Sequence, residues 1–290
     1  SPSRLILVGD VDQLPSVGAG AILQDLIASE QIPVVRLETI FRQAQDSLIT
    51  LNAHRVRKGD LPDLEDPLNS SELRDFYFMQ EGDPQRIVDK LLRVCTERIP
   101  ERFGFDPLNQ VQVLTPMHRG LTGSIHLNQR LQEVFNPTGG GIEFKQWQFR
   151  VGDKVMQQVN NYDKEVFNAD TGQIREVNTE TRELRVEFER TIVPYTASEL
   201  DQLQLAYAIS VHKSQGSEYA AVLLPLTHHH YLMLQRNLLY TAMTRGKELF
   251  VLIGTPEAID QAVRTVGTLT RYTALNYELA EVKRILDKAR

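Results

Sequence analysis

The chain lacks several features that would each fix a class. It has one cysteine, Cys95, so no disulfide can close within it and no cysteine-based zinc cluster can form. No apolar run approaches the roughly 18 residues of a membrane-spanning helix. Ser1-Pro2-Ser3-Arg4 leads into a strand-like run with no basic and apolar leader, so the expected compartment is the cytoplasm. Positive charge is not in excess: 32 Lys and Arg face 38 Asp and Glu, for a net charge of −6. That excludes coating of nucleic acid by bulk charge, but not a local basic groove. The Gly-x-x-x-x-Gly-Lys-Ser/Thr loop that holds a triphosphate is absent too. What is present, 290 residues of which 41% are hydrophobic, suffices for about two domains with a substantial core.

Periodicity predicts an α/β texture at both ends and a β texture between them. Leu5-Ile6-Leu7-Val8, closing on Gly9-Asp10, has the profile of a buried parallel strand, as do Pro33 to Leu37, Val111 to Leu114, Leu203 to Ile209, Ala221 to Leu226 and Leu249 to Gly254. Helical spacing runs over Ala21 to Ile27, Asp46 to Lys58, Pro84 to Arg98, Gly123 to Val134, Leu232 to Met243 and Glu278 to Arg290. Cys95 falls on the apolar side of one of these and reads as a core filler. Between Gly139 and Thr196 short alternating segments separated by turns predict a compact antiparallel barrel. The expected division is 1–37, then 38–140 with 197–290, interrupted by a barrel at 141–196. A chain that opens on a buried strand reads as a piece of something larger.

Taken singly, the polar clusters are ambiguous. Gly9-Asp10 after a strand makes a tight turn, although Gln13 stands where open α/β sheets bind ligands and could orient a phosphate or a water. Arg42 and Arg245 have the ordinary reading of solvated cations, the latter near a helix C-terminus. The loop from Ser210 to Glu218 is dense in hydrogen-bonding groups, and Gly216 lets a ligand approach the backbone. His228-His229-His230 has no acidic or cysteine partner at ligand spacing, so no metal site is expected.

Together they are specific. Gly-Asp-x-x-Gln-Leu-Pro at 9–15, Phe-Arg-Gln at 41–43, Thr-Pro-Met at 115–117, His-Lys-Ser-Gln-Gly-x-Glu at 212–218 and Tyr-Thr-Ala-Met-Thr-Arg at 240–245 occur in the order of a superfamily 1 helicase from its motif III onward. Leu14 to Gly20, Asn160-Asn161-Tyr162-Asp163 and Gln235 to Tyr240 resemble the RecD-type branch. The resemblance implies a RecA-like parallel-sheet motor domain, the end of a first motor domain, and an inserted SH3-like β-barrel. It implies ATP and Mg2+ as cofactors, with Gly9, Asp10, Gln13, Gly216 and Glu218 near the nucleotide. Gln13 would sense the γ-phosphate, and Arg42 and Arg245 would act as arginine fingers, worth about 10³–10⁵ in rate at comparable sites. Single-stranded DNA would run past Thr115, Pro116, Asn128, His212 and Lys213, with Asn160, Asn161 and Tyr162 of the barrel pressing on it. One departure stands out: the family's Asn-Gly-Asp is here Asn168-Ala169-Asp170, which strains the turn if that position has positive φ.

The triphosphate loop and the Asp-Glu that closes a strand before motif III are both missing, so the Mg2+ ligands are expected outside this sequence. The chain alone is expected not to hydrolyse ATP. The parent is expected to be an ATP-dependent DNA helicase acting on single strands and single–double strand junctions, 5′ to 3′ by family habit, in recombination or repair. An RNA-directed helicase and a non-catalytic single-strand binder stay open. So does the choice between a stand-alone enzyme and a subunit of a recombination nuclease complex.

Overall fold

Leu249 to Gly254 lies deep in a parallel sheet. The computed structural model describes residues 4–15, 18, 20–37, 46–65, 73–138, 140–189, 191–267 and 273–288. In chain order the strands are β1 (Phe76–Gln80), β2 (Val111–Thr115), β3 (Gly141–Phe144), β4 (Trp147–Arg150), β5 (Lys154–Gln157), β6 (Thr171–Asn178), β7 (Glu183–Phe188), β8 (Thr191–Tyr195), β9 (Leu203–Leu205), β10 (Ala208–Ser210), β11 (Tyr219–Leu226) and β12 (Gly246–Gly254). The sheet order β1-β12-β11-β2-β10 is parallel throughout. Alternate residues enter two cores, as the two-residue strand period requires. Val113, Leu223, Val251 and Ile253 pack with α3 (Pro84–Arg93) and α5 (Ser124–Phe135); Leu114, Val222, Leu224 and Leu252 pack with α2 (Leu48–Lys58), α6 (Arg236–Met243) and α7 (Pro256–Arg264). Both faces are covered, which is why these strands read as continuous apolar runs.

Helix starts follow the expected chemistry. Ser47 caps α2 through Thr50 N, and Asp83 caps α3 through Arg86 N with Pro84 in the first turn. The helix predicted to Arg98 continues through a π-helical turn, Val94–Arg98, into α4 (Ile99–Phe103). Ile99 N reaches Val94 O, and the next residue, Pro100, has no N–H to continue the regular ladder. Cys95 sits in that turn, buried, its thiol pushed up to about 12 by desolvation.

The RecA-like sheet carries an SH3-like insert. Strands β8-β7-β6-β5-β9 form an antiparallel sheet over which the β3–β4 hairpin packs, and Trp147, Phe149, Ile174, Val186 and Tyr195 share its core. This core runs without a break into that of the parallel sheet. At the joint the buried Asp153 accepts from Gln132 Nε2 (2.6 Å), Arg150 N (2.7 Å), Asn136 Nδ2 (2.8 Å) and the Tyr207 hydroxyl (2.9 Å). Beside it Lys154 Nζ donates to Leu108 O and Gln112 Oε1, while Gln112 Nε2 donates to Ala206 O and Tyr207 O. Burial pulls the Lys154 ammonium down to about 8.

Four expectations need correction. Leu5 to Val8 forms no strand and is exposed, Ile6 at 83% and Val8 at 93%, and Pro33 to Leu37 is likewise unpaired. No described strand lies beside either run, and a parallel strand exists only through its neighbours. The strand predicted over Leu203 to Ile209 is two: β9 pairs with β5, β10 with β2, and Ala206-Tyr207 crosses between the sheets. The helix predicted from Leu232 starts at Arg236, after a 3₁₀ segment, His228–Met233. Finally β1, unpredicted, is an aromatic edge strand with Phe76 stacked on Phe250 at 5.9 Å.

Among the described residues no helix is long and apolar enough to cross a membrane. The last helix, α8 (Leu275–Lys288), packs on α1 (Ile22–Ala28).

Candidate nucleotide and nucleic-acid site

The loop after the unpaired Leu5 to Val8 run is held by side chain–backbone bonds. Asp10 Oδ1 accepts Asp12 N at 3.0 Å, an Asx turn that sets the loop's shape. Leu14 enters the α2–α6 core. Its N–H donates to the buried Thr241 Oγ1 at 2.7 Å, and its carbonyl accepts Gln215 Nε2 at 2.6 Å. Arg57 and Asp12 add a loose ion pair at 3.9 Å. At Gly9 a Cβ would come within 2.7 Å of Leu23 Cδ2.

This docking brings Gln13 to Arg245, 232 residues away in sequence: Arg245 Nη2 donates to Gln13 Oε1 at 3.2 Å. Arg245 is only 7% exposed. Its other bonds go to Thr241 O (3.2 Å), Ser217 O (3.0 Å) and Thr244 Oγ1 (3.0 Å), all neutral oxygens. No carboxylate among the described residues forms an ion pair with it. A buried cation held only by neutral acceptors is a site prepared for an anion. Arg42, the third member of the expected cluster, lies outside the described residues. Gly216 has φ +83°, which an L side chain adopts only with strain, and a Cβ there would meet nothing within 4 Å. Glu218 is exposed and paired with Lys247 at 3.0 Å. No group of three His, Cys, Asp or Glu among the described residues could hold a metal ion. The guanidinium, hydrogen-bonded but without a counter-anion, therefore suits a phosphate, and no cluster of Mg2+ ligands stands beside it among the described residues.

On the expected DNA side the structure divides the candidates. His212 is exposed at the end of β10, its proton affinity lowered by partial desolvation and by His118 nearby. Lys213 Nζ donates to Asn168 Oδ1 of the barrel, joining the two units at their rim. Tyr162 is 73% exposed and stands edge-on to Phe167 at 5.9 Å, the most open aromatic pair of the barrel tip. Asn160 Oδ1 accepts Asn168 N, and Asn161 bonds Gln202 and Lys164 N, so both shape that tip. Ala169 has φ +77°, the left-handed geometry that its alanine makes costly.

Three candidates are buried. Thr115 is buried with its hydroxyl on Thr122 O at 2.6 Å, and Pro116 is buried beside it. Asn128 is 1% exposed: its amide donates to Ser124 O and Ala208 O, and its oxygen accepts Ala208 N. Both amide hydrogens and one lone pair of that side chain are used in pinning α5 to β10, and its burial keeps Asn128 from a strand at the surface. The Thr115 hydroxyl is likewise committed to its own loop.

His118, Gln215, Tyr240, Thr241 and the Thr122–His230 pair were missed. His230 Nδ1 accepts Thr227 N, which leaves Nε2 to bond Thr122 Oγ1 at 2.9 Å and ties the loops after β2 and β11 together. One sequence signal could have found this edge. No Asp or Glu occurs between Asp106 and Glu133, between Asp201 and Glu218, or between Glu218 and Glu248. In a chain of net charge −6 those three stretches meet at one sheet edge, carrying His118, Arg119, His212, Lys213, His228 and His229.

Comparison with known proteins finds helicase families and relatives. Residues 127–188 match the family model of the ATP-dependent RecD-like DNA helicase SH3 domain. Residues 205–253 match the UvrD-like helicase C-terminal domain, and residues 1–74 an AAA domain. The chain is 38% identical to the ATP-dependent RecD2 DNA helicase of Deinococcus radiodurans, over 88% of this chain and 33% of that protein. It is 29% identical to the RecBCD enzyme subunit RecD of Mycobacterium tuberculosis, over 90% of this chain and 46% of that one. It thus spans between a third and a half of these relatives. With the ordered motifs, the parallel sheet and its inserted barrel in hand, the chain is a member of the RecD-type branch of the superfamily 1 DNA helicases.

Proposed function

We propose that this chain supplies the second wall of the ATP cleft and much of the single-strand track of a DNA helicase. The observation that carries the reading is Arg245, buried without a counter-anion and bonded to Gln13. An ATP γ-phosphate supplies the charge that guanidinium lacks, and Gln13 beside it reports whether the phosphate is present. By the family resemblance Arg42 would be a second arginine finger for the same phosphate. ATP when bound supplies the hydrolysable phosphate; Mg2+ would neutralise it from ligands elsewhere in the parent. The residues here orient and stabilise, so the 290-residue chain alone does not hydrolyse ATP.

The track runs along the acid-free edge past His118, His212 and Lys213 to the barrel tip, where Tyr162 offers a face on which a base can stack. Phosphate contacts of this kind position a strand without reading its sequence. The 5′ to 3′ polarity and the place in recombination or repair follow from the family resemblance. Relatives named as RecBCD subunits extend the reading to assembly with further subunits.

The test uses the full-length protein that carries this chain. Arg245→Ala should lower DNA-stimulated ATP hydrolysis about 10³-fold or more while ADP still binds. Retained hydrolysis, or robust hydrolysis by the 290-residue chain alone, would overturn the reading. Unwinding that tolerates ribose in the tracked strand would turn it toward RNA.

A further inference from the structure

Tyr240 of α6 packs partly buried against the core, and its hydroxyl reaches the Gly-Asp loop. It donates to Asp10 Oδ2 at 2.9 Å. The same oxygen accepts Gln13 Nε2 at 3.2 Å, and Gln13 Oε1 accepts Arg245 Nη2 at 3.2 Å. Tyr240 and Arg245 belong to one short stretch of backbone, so the bonds close a ring: Tyr240, Asp10, Gln13, Arg245. The ring has one polarity. Inverting the Gln13 carboxamide would set its oxygen against a carboxylate and its NH2 against a guanidinium.

Asp10 is the weak member without Tyr240. Its other oxygen is used within its own loop, by Asp12 N. The docking of the loop backbone does not depend on it, because Leu14 is held by Thr241 and Gln215. Removing the Tyr240 hydroxyl would therefore release the orientation of a side chain and leave the loop seated. Burial and the Asp10 carboxylate both raise the proton affinity of the phenol, so it stays a donor.

We propose that Tyr240 is a positioning residue for the phosphate sensor: through Asp10 it fixes which end of the Gln13 carboxamide meets Arg245. The inference rests on the reading of Gln13 and Arg245 given above. Terminal phosphate would then find the guanidinium and carboxamide already oriented, which is where such sites gain rate.

The experiment compares Tyr240→Phe, Asp10→Asn, their double variant and Gln13→Ala in the full-length protein, measuring kcat and KM of DNA-stimulated ATP hydrolysis, ADP affinity and thermal midpoint. Tyr240→Phe and Asp10→Asn should each lower kcat about tenfold, Tyr240→Phe with ADP affinity within about twofold, and their double should be no worse than the lower single, because both break one ring. A Tyr240→Phe enzyme within twofold of wild type, or losses that multiply in the double, would overturn the proposal. So would losses of ADP affinity and thermal midpoint in step with kcat, which mark a merely structural hydroxyl. If Gln13→Ala leaves kcat intact, the sensor reading itself has failed; if Gln13→Ala is inactive and Tyr240→Phe is not impaired, only the ring has.

Discussion

Leu5 to Val8 and Leu249 to Ile253 are both short unbroken apolar runs, each followed by glycine. The second is a buried strand between two partners, β1 and β11; the first is unpaired and exposed. Nothing in the residues themselves separates them, since both suit a two-sided sheet interior. The difference is the neighbours. A parallel strand gets its hydrogen bonds and both covers from elements distant in sequence, and only β12 has them among the described residues. Yet the loop directly after the exposed run is firmly seated, through Leu14 and its bonds to Thr241 and Gln215. Anchorage there comes from side chains meeting backbone, and it does not require the strand.

The sharpest way to break this comparison is to place a charge in each run. Leu252→Asp buries an unpaired carboxylate and should prevent folding, a loss above about 4 kcal/mol, whereas Ile6→Asp in the same chain should shift stability by less than about 0.5 kcal/mol. Urea unfolding of the two variants checks both; equal effects would mean the first run is buried in solution. The joint of the inserted barrel should behave like β12. Asp153→Ala strands four donors, so a loss of about 3 kcal/mol is expected in the same assay, and a loss below 1 kcal/mol would show a loosely tethered insert.

His230 offers a smaller and pH-dependent effect. Burial, with His229 adding to it, pushes its imidazole down to about 4 from the ordinary 6.5. The unfolded chain therefore takes up that proton first. Stability from this group is whole above pH 6.5 and falls on acidification toward pH 4, by at most about 1.4 kcal/mol per unit. Unfolding curves across that window should show a shallower pH slope for His230→Gln than for the wild type; an unchanged slope would contradict the buried neutral ring. The smallest effect is a gain. Ala169→Gly, relieving the φ of +77°, should stabilise the chain by about 1 kcal/mol, read as a raised thermal midpoint.

Much of the fold was legible because it rests on local pattern. The capped starts of α2 and α3, the β11 and β12 runs and the alternation of β4 to β7 announce themselves. So did the meeting of Gln13 with Arg245, through the order of motifs, although Arg42 lies outside the described residues. What sequence could not give was the direction of polar side chains. Asn128 on a helix looks free to hold a phosphate; that its amide turns to Ala208, eighty residues on, depends on where β10 lies. Thr115 is hidden for the same reason. The break at Ala206-Tyr207 was invisible because both flanking strands are apolar, and only pairing partners tell them apart.

The uninterrupted interior shared by the barrel and the parallel sheet has a mechanical consequence. With Phe135 stacked on Tyr207 at 6.0 Å and Asp153 bonded to α5 and its C-cap, to Arg150 N and to Tyr207, the insert is joined to the sheet by packed side chains instead of a bare linker. A push on the tip at Tyr162 has a path of packed side chains to β2 and β10, and a dye placed there would serve as a pointer for tilts of the sheet beneath it.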